Sequence, residues 1–116
     1  MIMVRIKLKA LMEKRTEVMQ TLHSMIEPAE REKGCLCYDV FCDIEDETVF
    51  NLIEEWETRQ DLGRHMRSEI FSVLLGTKSL LARPIEMKLH TVSRSEGLEV
   101  INALRAREPR DGQRPF

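Results

Sequence analysis

The chain has 116 residues, with 18 lysines and arginines against 20 aspartates and glutamates, and a formal net charge of −2. This length predicts one domain, whose core is small enough that packing against a second copy would add appreciable stability. The two signs of charge are mixed without a basic stripe, so we expect no nucleic-acid partner. No apolar run is long enough to span a membrane, and the first residues alternate apolar with basic side chains, so we expect a cytoplasmic protein that does not bind membranes.

The first half of the chain alternates strand and helix patterns. Apolar and charged residues alternate over residues 2–9, which predicts a strand with one buried face. Over residues 13–33 apolar positions recur every three or four residues, which predicts an amphipathic helix. Pro28 should kink this helix or open a separate final turn, and Gly34 should end it.

The second half of the chain predicts a β-hairpin, then a helix and a fourth strand. Strands are predicted at residues 35–44 and 48–57, joined by a short polar turn and paired antiparallel. Thr58 or Asp61 can cap the next helix, which runs in two pieces to about Leu81. Pro84 ends any helix, and alternation over residues 85–91 predicts a fourth strand.

The element order is strand, helix, strand, strand, helix, strand. It predicts an α+β domain of the ferredoxin-like split βαβ type, with an antiparallel sheet, over residues 1–93. One sheet face takes both helices, and the hairpin strands look too apolar for the other face to remain in water. Residues 94–106 should add a short helix capped by Ser95, and residues 107–116 are charged, contain proline and are predicted to be disordered.

The cysteines Cys35, Cys37 and Cys42 are odd in number, which argues against a disulfide framework and fits a reducing compartment. Strand alternation predicts that Cys35 and Cys37 share one face and that Cys42 lies on the other. A metal site needs more ligands than one such pair. We interpret the three as small buried side chains, with a redox or metal role as the alternative.

Three side chains could carry chemistry near the end of the third strand. Glu54 and Trp56 share one strand face with Phe50 and can line one cavity. Trp56 is either a core residue or a stacking wall for a flat aromatic ligand. Glu54 either faces that cavity or forms an ion pair with an arginine such as Arg64.

His65, on the following helix, is the best candidate for a proton acceptor or donor near neutral pH. The alternative is a neutral histidine bonded to a strand carboxylate. No glycine-rich phosphate loop, Cys-x-x-Cys, His-Glu-x-x-His or Gly-x-Ser-x-Gly motif is present, so no cofactor or metal is predicted.

The strand Gly34-Cys35-Leu36-x-Tyr38, the strand Glu54-x-Trp56 and a downstream helical His65, followed by Ser68 and Phe71, resemble the antibiotic biosynthesis monooxygenase family. In that family two subunits pack their sheets into a dimeric α+β barrel, and each subunit keeps its own pocket. The characterised oxygenases oxidise quinol-like or polycyclic aromatic substrates with dioxygen and without metal or flavin. The resemblance therefore implies a homodimer with these catalytic and substrate-binding residues: His65 and Glu54; Trp56, Tyr38, Phe50 and Phe71.

Other functions remain open. Fold alone does not determine activity, so a non-catalytic dimer that binds a small ligand or a partner is the alternative. The heme-degrading branch of the family has tryptophan where this chain has His65, and an iron-ligating histidine where it has Leu75. The branch that isomerises a phosphorylated sugar-derived signal would need a phosphate clamp, for which only Arg59, Arg64 and Arg67 are available.

Overall fold

The structure, a computed structural model, describes residues 1–106. Over this range the chain forms a four-stranded sheet and four α-helices, with short 3-10 turns at Met12–Lys14 and Thr77–Leu80. The strands are β1 (Ile2–Lys9), β2 (Cys35–Cys42), β3 (Val49–Trp56) and β4 (Glu86–Thr91), and the helices are α1 (Arg15–Glu30), α2 (Arg59–Met66), α3 (Glu69–Gly76) and α4 (Val100–Arg105).

The sheet has the strand order β2-β3-β1-β4, and each neighbouring pair is antiparallel. The helices α1, α2 and α3 bury their apolar sides against one face of this sheet, and among residues 1–106 no helix contributes core residues on the opposite face. The predicted α+β architecture of the ferredoxin-like type is thereby confirmed. The core combines strand and helix side chains: Ile2, Val4, Ile6, Leu8, Leu52, Trp56, Val18, Leu22, Met25, Ala29, Leu62, Phe71 and Leu74.

Local sequence signals fix the helix ends. Pro28 lies inside the last turn of α1, and the helix continues to Glu30 without a separate turn. Gly34 then has φ 82°, a left-handed conformation that glycine adopts at little cost. The side chain of Thr58 accepts a hydrogen bond from the amide of Asp61 at the start of α2, so Thr58 is the cap of the two predicted candidates. Ser68 caps α3 in the same way, which divides the helical segment in two.

The strand β2 departs from simple alternation. Its register against β3 shifts between Cys35 and Cys37, as at a β-bulge, and leaves Leu36 without a partner. Cys35 therefore faces the helices opposite Trp56, and Cys37 faces the open side opposite Glu55. The prediction that Cys35 and Cys37 share a face is wrong, because the bulge inserts one residue into the period of two.

The end of the described chain extends away from the core. The strand β4 pairs only with β1, and Met87 and Leu89 on its helix side are 46% and 37% exposed. The helix α4 begins at Val100, five residues after the predicted cap Ser95. Its apolar stripe is exposed, with Leu98 at 67% and Leu104 at 77%. The predicted tail over residues 107–116 lies outside the described residues, and within residues 1–106 no helix combines the length and hydrophobicity needed to cross a membrane.

Candidate functional site

The register of the sheet places three of the predicted site residues together. Tyr38 on β2 lies directly opposite Glu54 on β3, and both face the helices. Trp56 follows two residues later on the same face of β3. All three are buried, with exposures of 2% for Tyr38 and 0% for Glu54 and Trp56. These two neighbouring strands therefore form the floor of a candidate site.

The helical layer supplies the roof of this site. His65 is 1% exposed and its ring stacks on the Trp56 indole, with 4.5 Å between centroids and 28° between planes. Tyr38 and Phe71 meet the imidazole edge-on, at centroid distances of 6.0 and 5.7 Å. Three of the predicted site rings thus surround the His65 imidazole, with the carboxyl group of Glu54 beside it.

Hydrogen bonds order the polar groups of the site into a row. The Trp56 indole N–H donates to Glu54 Oε1 at 2.9 Å. His65 Nδ1 lies 2.7 Å from Glu32 Oε2, and His65 Nε2 lies 3.6 Å from Glu54 Oε1. The imidazole therefore lies between two carboxyl groups, bonded to Glu32 and just beyond bonding distance from Glu54.

Three buried polar atoms of this cluster lack a hydrogen-bond partner among the described residues. They are Tyr38 Oη, Glu54 Oε2 and His65 Nε2. Unpaired buried polar atoms are rare in native proteins, and each one costs about 1–3 kcal/mol. Three of them on adjoining side chains mark a place where a polar ligand group would be stabilising.

The site environment also changes the acidity of its members. Burial raises the pKa of Glu54, an effect that the Trp56 hydrogen bond and the nearby His65 only partly oppose. Burial raises the pKa of the Tyr38 phenol as well, and the Glu54 carboxyl group adds to this rise. Both groups are thereby favoured in their protonated forms, which can donate hydrogen bonds.

Phe50 is the predicted site residue that the structure places elsewhere. It shares the helix-facing side of β3, but six residues separate it from Trp56, or about 20 Å along a strand. Its ring lies under the guanidinium group of Arg15, at 5.6 Å. Phe50 therefore belongs to the core at the other end of the sheet.

The observed partners of Glu54 and His65 also differ from those that the sequence suggested. Arg64 binds Asp61 at 2.9 Å, so the suggested pair of Glu54 with Arg64 does not form. Glu32, the partner of His65, carried no sequence signal that singled it out. It lies in an ordinary charged turn just after α1, and only the packing of that turn against α2 brings it to the imidazole.

Cys35 and Cys37 lie beside the site, and Cys42 lies opposite Phe50 at the other end of β2. Burial raises the pKa of the Cys35 thiol to about 11, and burial together with the Asp39 hydrogen bond raises that of Cys37 to about 12. Both are protonated, weakly nucleophilic thiols near neutral pH. Cys35 and Cys37 are half-buried and Cys42 is exposed, so the interpretation of all three as buried side chains is wrong. Among residues 1–106 no three His, Cys, Asp or Glu side chains are grouped as ligands for one metal ion.

The fold and the buried site define the class: a split βαβ domain with an aromatic, acid-and-histidine cluster between sheet and helices. The family model of antibiotic biosynthesis monooxygenases matches residues 1–74. The chain belongs to the antibiotic biosynthesis monooxygenase family, which confirms the resemblance inferred from its sequence.

Individual proteins are similar to this chain over most of its length. The uncharacterized protein sll1783 of Synechocystis is 28% identical over 98 residues, which cover 84% of this chain and 67% of that protein. YcnE of Bacillus subtilis is 26% identical over 88 residues, covering 75% and 93%. A solved structure of a conserved protein from Methanosarcina mazei is 29% identical, with a TM-score of 0.72 over 77% of this chain and 89% of that one.

Proposed function

We propose that this protein is a cofactor-independent monooxygenase that oxidises a quinol-like or polycyclic aromatic molecule with dioxygen. The observation that carries the proposal is the convergence of Tyr38 Oη, Glu54 Oε2 and His65 Nε2, all buried and unpartnered, beside the stacked rings of Trp56 and His65. Aromatic walls suit a flat ring, and the three polar atoms suit its phenolic oxygen.

In the proposed reaction the substrate supplies all the electrons. A phenol or quinol with a C–H carbon ortho or para to its oxygen loses the O–H proton to a base, and the anion passes one electron to dioxygen. The resulting superoxide and phenoxyl radical combine at that C–H carbon, forming a C–O bond. Cleavage of the O–O and C–H bonds then leaves a carbonyl and releases one water, so phenol and dioxygen give quinone and water.

The site offers groups for the proton transfers of this reaction. His65 Nε2 is the base that takes the phenolic proton, because its other nitrogen is already bonded to Glu32. Glu54, whose pKa burial raises, can hold a proton, give it to the peroxide oxygen and take up the C–H proton as the O–O bond breaks. The hydroxide that leaves takes a proton from solvent and becomes water. Trp56 and Phe71 hold the ring, and Tyr38 donates to the substrate oxygen.

Access requires movement, because His65 and Trp56 are closed off from solvent. Phe71, at 8% exposure, is the most exposed of the rings around His65, and it belongs to the separately capped helix α3. We place the entrance at α3, whose displacement would open the site without unpairing the sheet.

Oxygen uptake with a benzoquinol, a naphthoquinol and anthrone tests the proposal. We expect turnover with at least one of them, and a fall of about 100-fold or more in His65→Ala and Glu54→Gln. The matched controls are His23→Ala and Glu57→Gln, at exposed positions outside the site. Equal rates in wild type and both site variants would contradict these roles.

The second candidate is a non-catalytic protein that binds a small aromatic ligand, and the closed packing of Trp56 and His65 favours it. Trp56 is the chain's single tryptophan, so its fluorescence reports on the site directly. Quenching of Trp56 by ligands that cause no oxygen uptake would select the binding function. Quenching together with turnover would select the oxygenase.

A further inference from the structure

Glu32 contacts the site from outside the sheet. It lies in the turn between α1 and β2, and its carboxylate is 2.7 Å from His65 Nδ1. Its side chain is 21% exposed, whereas those of His65 and Glu54 are 0% exposed. Glu32 is therefore the member of the acid–histidine–acid row that reaches the solvent.

The contact decides which imidazole nitrogen carries the proton. A carboxylate at 2.7 Å is an acceptor, so Nδ1 must be the N–H donor and neutral His65 has a free lone pair on Nε2. That lone pair lies toward Glu54 and has no hydrogen-bond partner among the described residues. Without Glu32 the proton could sit on Nε2, where it would block the base.

We propose that Glu32 is the positioning residue of this site, which fixes the Nδ1–H tautomer of His65 and passes the abstracted proton to solvent. The proposal rests on the function proposed above. When Nε2 takes the substrate O–H proton, the ring becomes an imidazolium ion next to the Glu32 carboxylate. The Nδ1 proton then moves to Glu32 Oε2 and from there to water, which restores the starting tautomer.

The fold holds Glu32 in place through the backbone. The Glu32 amide donates to the carbonyl of Ala29 at 3.1 Å, and the Glu32 carbonyl accepts from the Cys35 amide at 3.1 Å. This turn is anchored at both ends, one on α1 and the other on β2. A carboxylate on a fixed turn can orient an imidazole with little loss of side-chain entropy.

The test combines a substrate-free and a catalytic measurement on the full-length protein. In nitrogen NMR of the imidazole ring, wild type should show the Nδ1–H tautomer, and Glu32→Ala should show the Nε2–H form. Glu32→Gln keeps an acceptor oxygen and should retain the wild-type tautomer. Glu30→Ala, at an exposed position two residues earlier, is the control and should match wild type.

The catalytic rate should depend on which tautomer His65 adopts. We expect kcat to fall about tenfold or more in Glu32→Ala with KM little changed, because Glu32 lies on the far side of His65 from the unpartnered atoms. An unchanged tautomer in a folded Glu32→Ala variant would overturn the proposal. A switched tautomer without oxygen uptake by any variant would leave Glu32 as the positioning residue and refute the oxygenase function instead.

Discussion

The buried environment of Glu54 affects both its protonation and the stability of the folded protein. Its side chain is fully buried, accepts one hydrogen bond from Trp56 and leaves its second oxygen unpartnered among residues 1–106. A carboxylate in such surroundings costs free energy, and burial accordingly raises its pKa. The folded protein thus holds a proton that the unfolded chain would release.

We expect Glu54→Gln to gain stability relative to wild type as the pH rises. A raised folded-state pKa means that stability from Glu54 is complete below its ordinary value of 4.5 and is lost as the pH rises through the folded-state value. Glutamine cannot ionise and still offers an oxygen to the Trp56 indole, so the variant escapes this loss.

Urea unfolding from about pH 4 to about pH 8 measures the effect as the difference between variant and wild type. The control Glu57→Gln changes an exposed carboxylate and should show no such trend. A difference that shrinks with rising pH would show that the fold stabilises the Glu54 carboxylate instead.

Sequence spacing identified most of the site, for reasons visible in single residues. Glu54 and Trp56 are two apart on a strand, which fixes a common face, and the family pattern added His65. Glu32 could not be predicted because its role depends on a tertiary contact across 33 residues. Phe50 lies apart from the other predicted site residues because a shared face does not specify how far apart two residues lie along it.

At the scale of elements, the turn between α1 and β2 controls how the helices meet the sheet. The carbonyl of Gly34 accepts a hydrogen bond from the amide of Glu57 at 2.8 Å, which ties the turn to the end of β3. A Cβ atom on Gly34 would lie 2.2 Å from the Asp61 carboxyl group at the start of α2. The turn that holds Glu32 therefore packs directly against the helix that carries His65.

Gly34→Ala should destabilise the protein by about 1–3 kcal/mol or more, since alanine is strained at φ 82° and would collide with Asp61. Gly76→Ala is the matched control, because no atom lies within 4 Å of a Cβ there and φ is −65°. It should be neutral or stabilising by up to about 1 kcal/mol. Chemical denaturation measures both, and equal stabilities of the two variants would contradict the close packing at Gly34.

The boundaries of helices and strands could be predicted where capping residues agreed with the spacing of apolar residues. Where the two did not agree, the predictions failed. Thr58, Ser68 and Gly34 gave local signals that tertiary packing preserved. The bulge at Leu36 has no local signature, and a period of two cannot predict an inserted residue. Ser95 looked like a cap, but the helix beyond it has no buried residues in the described chain, so packing does not extend it.

For the whole molecule, the sheet face opposite the helices is the surface that the core helices α1, α2 and α3 leave open. Its central residue is Ile53, which lies between Arg5 on β1 and Asp39 on β2. Phe41 adds an apolar ring that is 48% exposed. The face is more polar than the sequence suggested, because Tyr38 and Val40 turn toward the helices with Cys35.

The charges of this face are arranged so that it could pair with a copy of itself. Arg5, Lys7 and Lys88 lie on β1 and β4 together with one acid, Glu86, and Asp39 and Glu55 lie on β2 and β3. A twofold axis through the sheet can set the basic strands of one copy over the acidic strands of the other.

We therefore expect a homodimer built on the open sheet face, with a mass by light scattering of twice the chain's 13.6 kDa at micromolar concentration. Ile53→Glu should shift it toward monomer, since a charge that must be desolvated would replace an apolar side chain at the centre of the interface. The control Leu75→Glu changes a side chain that is 50% exposed on α3 and should leave the dimer intact. A wild-type monomer, or a dimer that only Leu75→Glu disrupts, would show that the sheet face is not the interface.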